Sequence, residues 1–226
     1  MFKYLVVLTV AIFCLNAQAD EAKLKGILEK SYPQLGPIED VTKAPINGLY
    51  EVETTDQIFY TDEKGQYLVV GSIYDIKNGR NLTDERILKS LPYELAIKRV
   101  KGKGERMLAY LTDPNCGYCK KLEGELKNVD NVTLYRFLYP IFPGSDEKVR
   151  NILCSKDPNK TWEDWMLNAV PPPVAKCSTQ TEKVSSLGKK LHVDGTPTLI
   201  FADGRRVPGY MPVAELEKAL NSAAAH

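Results

Sequence analysis

Two cysteines separated by two residues, Cys116-Gly117-Tyr118-Cys119, constrain this chain more than any other feature. Such a pair can close a disulfide on itself or supply half of a metal site, and its neighbours decide which. Met107–Leu111 upstream is an apolar run of strand length, and Thr112-Asp113-Pro114-Asn115 reads as a turn. Downstream, Lys120-Lys121-Leu122-Glu123-Gly124-Glu125-Leu126 sets two leucines four apart among charges, the pattern of a helix. The pair therefore stands where a loop enters a helix. Unpaired backbone N–H groups and the positive end of the helix dipole favour a thiolate there. A cysteine so placed has its pKa lowered from about 8.5 to roughly 3.5–7.5. Cys116 comes first, with its sulfur able to face solvent, and is the candidate nucleophile. Cys119 lies one turn in, is better placed to be buried, and is the candidate resolving thiol. The plain alternative, a structural 116–119 bridge, constrains little of the unfolded chain because its loop is so short.

The compartment follows from the first residues. One positive charge at Lys3, an apolar run from Tyr4 to Leu15 and small residues at Ala17 and Ala19 have the layout of a secretory signal cleaved after Ala19. The competing reading, a membrane anchor, needs an apolar run of about 20 residues. This one is shorter. Cys14 would leave with the signal. The chain carries 30 Lys+Arg against 29 Asp+Glu, so nothing points to nucleic acid or to another strongly charged partner.

Four cysteines remain, Cys116, Cys119, Cys154 and Cys177. In an exported chain an even count favours disulfides. The short spacing favours 116 with 119, leaving 154 with 177. The alternative is one four-cysteine zinc site, but zinc ribbons pair CxxC with a second CxxC, and here the second pair is 23 apart. No metal and no cofactor is expected. The 154–177 pair flanks helical material and reads as a staple, with a second redox role as the alternative.

The expected class is α+β. After residues 1–19, a first domain over 20–81 holds a helix at Ala22–Ser31 and strands over 48–54, 57–61 and 67–73, with a hairpin loop at Asp62–Gly65. About 60 residues without a cysteine make a small core, so this unit either dimerises or packs on the larger domain. Residues 82–104 read as a linker helix, capped by Thr83, broken by Pro92 and ending in a charged joint over 98–105. From 105 to 226 the pattern is a thioredoxin-type domain with a helical insertion. It has strands at 107–111 and 131–138, helices over 146–190 interrupted at Pro171–Pro173, strands at 198–201 and near 206–207, and a last helix over 213–223.

Two further features bear on the site. Gly195-Thr196-Pro197-Thr198 stands directly before a strand, and its X-Pro bond can be cis or trans. Gly117 adds no bulk beside the sulfur, while Tyr118 either contributes its ring or hydroxyl to the thiolate or caps the surface. His192 reads as a loop or surface residue.

Thr112-Asp113 with Cys116-Gly117-Tyr118-Cys119-Lys120-Lys121-Leu122, then Gly195-Thr196-Pro197, then Val207-Pro208-Gly209-Tyr210, resembles the DsbC family of periplasmic disulfide isomerases. The resemblance covers essentially the whole mature chain. It implies a V-shaped homodimer joined through the N-terminal domains, with an uncharged cleft for misfolded, disulfide-containing exported proteins. It also implies that Cys116 attacks, that Cys119 resolves, and that Thr196-Pro197 forms a cis-proline loop pairing with the client backbone. Cys154–Cys177 is then the structural disulfide, and Tyr110 stands where thioredoxins carry a buried acid. A membrane reductase of the DsbD type would keep the pair as a dithiol. Pro114, just before the motif, and Pro92, in the linker, depart from the family pattern. Alternatives are a DsbG-type reductase acting on single oxidised cysteines, and a holdase chaperone in which the thiols matter little.

Overall fold

The computed structural model describes residues 20–55, 57–77 and 80–224, in two compact units that divide between Gly71 and Ser72. The expected signal, its cleavage point and Cys14 lie outside the described residues.

In the first unit, helix α1 (residues 20–31) ends before Tyr32-Pro33, where the proline opens a 3-10 turn, Pro33–Leu35. Leu24 and Leu28, one turn apart, are buried on a four-stranded antiparallel sheet. Its strands are β1 (Ile38–Lys43), β2 (Leu49–Thr54), β3 (Ile58–Asp62) and β4 (Leu68–Val69), side by side in that order. Strand β1 was not anticipated from sequence. A bulge between Ile38 and Asp40 sets its two core residues, Ile38 and Val41, three apart, which hides the two-residue alternation. The strand expected over 67–73 shortens to β4. The hairpin loop forms as read: the Asp62 carboxylate accepts the N–H groups of Lys64, Gln66 and Tyr67 at 3.2, 2.7 and 3.0 Å.

The second unit opens with a two-stranded ribbon, β5 (Tyr74–Asp75) and β6 (Arg80–Asn81), followed by α2 (Leu82–Lys89). The cap is Asn81, whose side-chain oxygen accepts the Asp84 N–H at 3.2 Å; the Thr83 hydroxyl instead accepts the Ile73 N–H at 2.9 Å. The expected helix over 82–104 is confined to α2. Pro92 opens a 3-10 turn over Tyr93–Leu95, and the charged stretch beyond is strand β7 (Ile97–Lys101). Only Ile97 of β7 is buried, and its exposed Lys98 and Arg99 are what an edge strand carries against stray pairing.

The main sheet runs β11-β10-β8-β9-β7, with β8 (Arg106–Thr112), β9 (Val132–Leu138), β10 (Thr198–Phe201) and β11 (Arg206–Pro208). Strands β8 and β9 are parallel and the other neighbours antiparallel. Helix α3 (Gly117–Leu126) connects β8 to β9. The insertion between β9 and β10 holds α4 (Ser145–Leu153), α5 (Pro158–Asn168) and α6 (Thr181–Lys190), and α7 (Val213–Ala224) closes the chain. One core cluster joins β8, α3, β9, β10 and α7 around Leu108, Leu122, Leu134, Phe201 and Leu216. Another surrounds the cysteine pair with Leu138, Val149, Ile152, Trp162 and Met166.

Two contacts tie the start of this unit to the sheet. Gly204 turns between β10 and β11 at φ +82°, and a Cβ there would lie 2.8 Å from the Asp84 and Glu85 backbone, so glycine lets α2 seat against the turn. Asp84 also pairs with Arg206 at 2.9 Å. At the far end of α3, the Lys101 ammonium of β7 donates to the carbonyls of Leu126 at 2.6 Å and Lys127 at 2.9 Å, a cation at the negative end of the helix.

Candidate active site

Strand β8 runs through the middle of the sheet, and the chain turns from its end into α3 through Asp113-Pro114-Asn115. The turn closes on a bond from the Cys116 N–H to the Asp113 carbonyl at 3.2 Å. The Asp113 carboxylate is fully buried. It accepts from the Asn115 N–H at 2.6 Å, the Ser145 hydroxyl at 2.7 Å, and the N–H groups of Ile141 and Phe142 at 2.7 and 3.1 Å. Asn115 donates to the Pro143 carbonyl at 3.0 Å and accepts from the Lys148 ammonium at 2.6 Å. Pro114 offers its carbonyl to the Trp165 indole N–H at 2.6 Å. The Trp165 ring in turn meets the ammonium groups of Lys120, 4.3 Å from its centroid, and Lys148, 4.6 Å from it.

Cys116 is the N-cap residue of α3. Its sulfur accepts the Cys119 N–H at 3.1 Å, and its thiol donates to the Thr196 carbonyl at 3.2 Å. The sulfur does not stand open to solvent as expected: Cys116 is 3% exposed, tucked between α3 and the Thr196 loop. Hydrogen bonding from the Cys119 thiol, helped by backbone N–H groups of Cys119 and Tyr118, overcomes burial and lowers the Cys116 pKa to about 6. Burial, with the same thiol–thiol bond, pushes Cys119 far up, and that residue has no exposed surface. At neutral pH the free pair is therefore one thiolate, at 116, and one thiol, at 119.

The Thr196–Pro197 peptide is cis, which settles the alternative left open by the sequence. The Pro197 carbonyl accepts the Gly209 N–H at 2.7 Å, so the Val207-Pro208-Gly209-Tyr210 string is bonded to the proline loop. Tyr210 closes the other side. Its hydroxyl donates to Glu125 of α3 at 2.6 Å, and its ring lies 6.4 Å from that of Tyr118. Tyr118 is 60% exposed beneath the Lys121 ammonium, which places its ring on the rim of the site. A Cβ at Gly117 would meet nothing within 4 Å. Cys154 is bonded to Cys177, with Cα atoms 5.6 Å apart, which removes both from any four-cysteine zinc site. His192 is an exposed loop residue after α6.

Sequence reasoning missed a buried polar network beside the site. The Tyr110 hydroxyl donates to Glu123 at 2.6 Å and accepts from Arg136 at 2.7 Å, and Arg136 pairs with Glu123 at 3.4 Å. All three residues are at most 2% exposed. A tyrosine at 110 was visible in the sequence, but nothing in its spacing pointed to partners on α3 and β9.

Residues 93–224 match the thioredoxin-like domain family, and residues 15–84 match the disulfide bond isomerase protein N-terminal domain. A probable thiol:disulfide interchange protein DsbC of Bordetella parapertussis is 45% identical over 216 residues, 91% of this chain and 77% of the relative. The thiol:disulfide interchange protein DsbC of Escherichia coli K12 is 28% identical over 221 residues, 93% of this chain and 92% of its own. Among solved structures, a disulfide interchange protein from Neisseria gonorrhoeae superposes with a TM-score of 0.57 at 35% identity, over 59% of this chain and 99% of that one. A linker-deletion variant of Proteus mirabilis ScsC shares the fold alone, with a TM-score of 0.51 at 19% identity over 64% of this chain and 83% of its own. An ionised cysteine at the head of a helix, a thioredoxin-like sheet behind it and relatives matched along nearly the full length lead to one assignment: the chain belongs to the DsbC family of thiol:disulfide interchange proteins.

Proposed function

We propose that this protein reshuffles wrong disulfides in exported proteins, with Cys116 as the attacking thiolate. The observation that carries this reading is the asymmetry of the pair, a Cys116 pKa of about 6 beside a Cys119 thiol held up by burial. The Cys116 thiolate attacks one sulfur of a client disulfide, a mixed disulfide forms, and the other client sulfur leaves as a thiolate. That freed thiolate attacks a second client disulfide, and the chain of exchanges ends by displacing Cys116 unchanged, so the client is rearranged without net oxidation or reduction. If rearrangement stalls, Cys119 loses its proton and attacks the Cys116 sulfur. The client thiol is released, and a 116–119 disulfide remains for an external dithiol to reduce. A membrane reductase of the DsbD type is the partner that fits this step.

The Thr196 loop would present its backbone to the client beside Cys116, while Cys154–Cys177 would act as a staple on the insertion. A loop of that size is worth about 3 kcal/mol on the chain-entropy view. The signal layout supports a periplasmic location after cleavage at Ala19. The N-terminal unit, expected over 20–81, would join two copies. Among the described residues no helix is long and apolar enough to cross a membrane.

The test is recovery of activity from a scrambled, multi-disulfide protein given the full chain as a dithiol, with Cys116→Ser beside it and the oligomeric state measured by light scattering. Recovery that survives Cys116→Ser would sink the attacking role. Reduction of single oxidised cysteines without recovery of the scrambled protein would favour the DsbG-type reading.

A further inference from the structure

We infer that Asp113 is a positioning residue for disulfide exchange: its buried carboxylate locks the turn before α3 onto the β9–α4 connection and so fixes where the Cys116 sulfur meets the Cys119 N–H at the head of α3. The inference rests on the reading of Cys116 as the attacking group.

The bonding pattern separates Asp113 from an ordinary turn residue. An Asp that merely shapes a turn bonds a backbone N–H two residues on, and the bond to Asn115 does this. The remaining bonds reach Ile141, Phe142 and Ser145, 28 to 32 residues away. One oxygen takes Asn115 and Ser145, and the other takes the adjacent N–H groups of Ile141 and Phe142. Only a carboxylate offers acceptors on both sides. An Asn of the same shape would turn an NH2 toward donors on one of them. Asn115, whose amide reaches the Pro143 carbonyl, and Trp165, bonded to Pro114, brace the same turn from α5 and the β9–α4 loop. The product of this bracing is the position of Cys116, whose own N–H is bonded to the Asp113 carbonyl.

Charge alone would give Asp113 the opposite effect. A carboxylate three residues from a thiolate is a like charge and disfavours it. The ionisable residue bonded to the sulfur is Cys119, while the nearby cations are engaged elsewhere, Lys120 of α3 on the Trp165 ring, Lys121 on the Tyr118 ring and Lys148 of α4 on Asn115. Replacing Asp113 removes none of them. Loss of position and loss of charge therefore move the Cys116 pKa in opposite directions.

The experiment is Asp113→Asn in the full-length dithiol protein, with the pH profile of Cys116 alkylation read by mass spectrometry and turnover of a scrambled protein client measured beside it. Positioning predicts a midpoint raised by about one pH unit, with roughly tenfold less thiolate and a similar loss of client turnover well below pH 6, shrinking to about twofold near neutrality. A midpoint that falls, or one that stays put while only the melting temperature drops, overturns the inference. Ser145→Ala removes a single donor to the carboxylate and should shift the profile the same way by less; it decides the matter if Asp113→Asn does not fold. Wild-type protein in which Cys116 is not the first thiol labelled would overturn the functional reading and this inference with it. A normal wild-type profile with unmoved variants overturns the inference alone.

Discussion

The sulfur of Cys116 lies 3.2 Å from the carbonyl oxygen of Thr196, 80 positions further along the chain. Only the thiol can donate to that oxygen. Ionisation releases the carbonyl at the moment the sulfur becomes reactive, so an attacking thiolate and a free backbone acceptor arise together. A client strand that donates an N–H to Thr196 would find its partner vacated beside the group that attacks it.

Ionisation of this sulfur should be visible directly. Alkylation of the folded dithiol protein is expected to modify Cys116 with a midpoint at about pH 6 and to reach its plateau near neutrality. Cys119 should stay unlabelled until denaturant is added, because burial holds it as a thiol. Peptide mapping after a brief pulse of reagent distinguishes the two, and early labelling of Cys119 would contradict the assignment.

Stability should follow the same proton. A cysteine in the unfolded chain titrates near 8.5, whereas Cys116 in the fold titrates at about 6. Between those values the unfolded state holds a proton that the native state lacks, so stability of the dithiol form rises with pH across this window. Cys119 is shifted the other way, and its contribution is lost only above the unfolded value. Urea midpoints at pH 6, 7 and 8 should climb in the wild type, and the climb should be missing from Cys116→Ser.

The buried network of Tyr110, Glu123 and Arg136 gives a graded series. Arg136→Met strands the Glu123 carboxylate and is expected to cost about 3–5 kcal/mol. Tyr110→Phe removes one hydroxyl that both donates and accepts, for roughly 1–3 kcal/mol. Equal losses in the two variants, measured by chemical denaturation, would show that the charge is not desolvated as its burial implies.

Two helical glycines should respond in opposite directions to a methyl group. At Gly188 of α6 the added carbon would stand 2.5 Å from the ring of buried Tyr139, so Gly188→Ala should cost about 1–3 kcal/mol through overpacking. At Gly117 the space is empty, and Gly117→Ala should gain up to about 1 kcal/mol from helix propensity. Thermal melts read both, since about 1 kcal/mol moves the transition of a chain this size by roughly 2–4 °C.

Much of the catalytic unit was legible in the sequence because its central strands are buried on both faces. Strands β8 and β10 read as short apolar runs and β9 as a run rich in β-branched and aromatic residues, and all three fell within a residue or so of their positions. Edge strands gave no such signal. A bulge hid β1, and Lys98 and Arg99 made β7 look like a charged joint. At the site, the cysteine pair and the Thr-Pro loop stood out because each is a local string. Asp113 and Arg136 did not, since their partners lie on other elements, up to 32 residues away in the chain. Contacts at such separation leave no periodicity to read.

Strand β7 also governs where this chain can be cut. A fragment beginning at Arg106, just after the charged stretch, would keep both reactive cysteines and still lose a sheet member. It would leave β9 with a bare row of peptide groups, take away the ammonium that seats on the last turn of α3, and free the Gly204 turn from its neighbour α2. Any comparison of the whole protein with its isolated catalytic half would then confuse damage with division of labour. The scissors belong near Ser72.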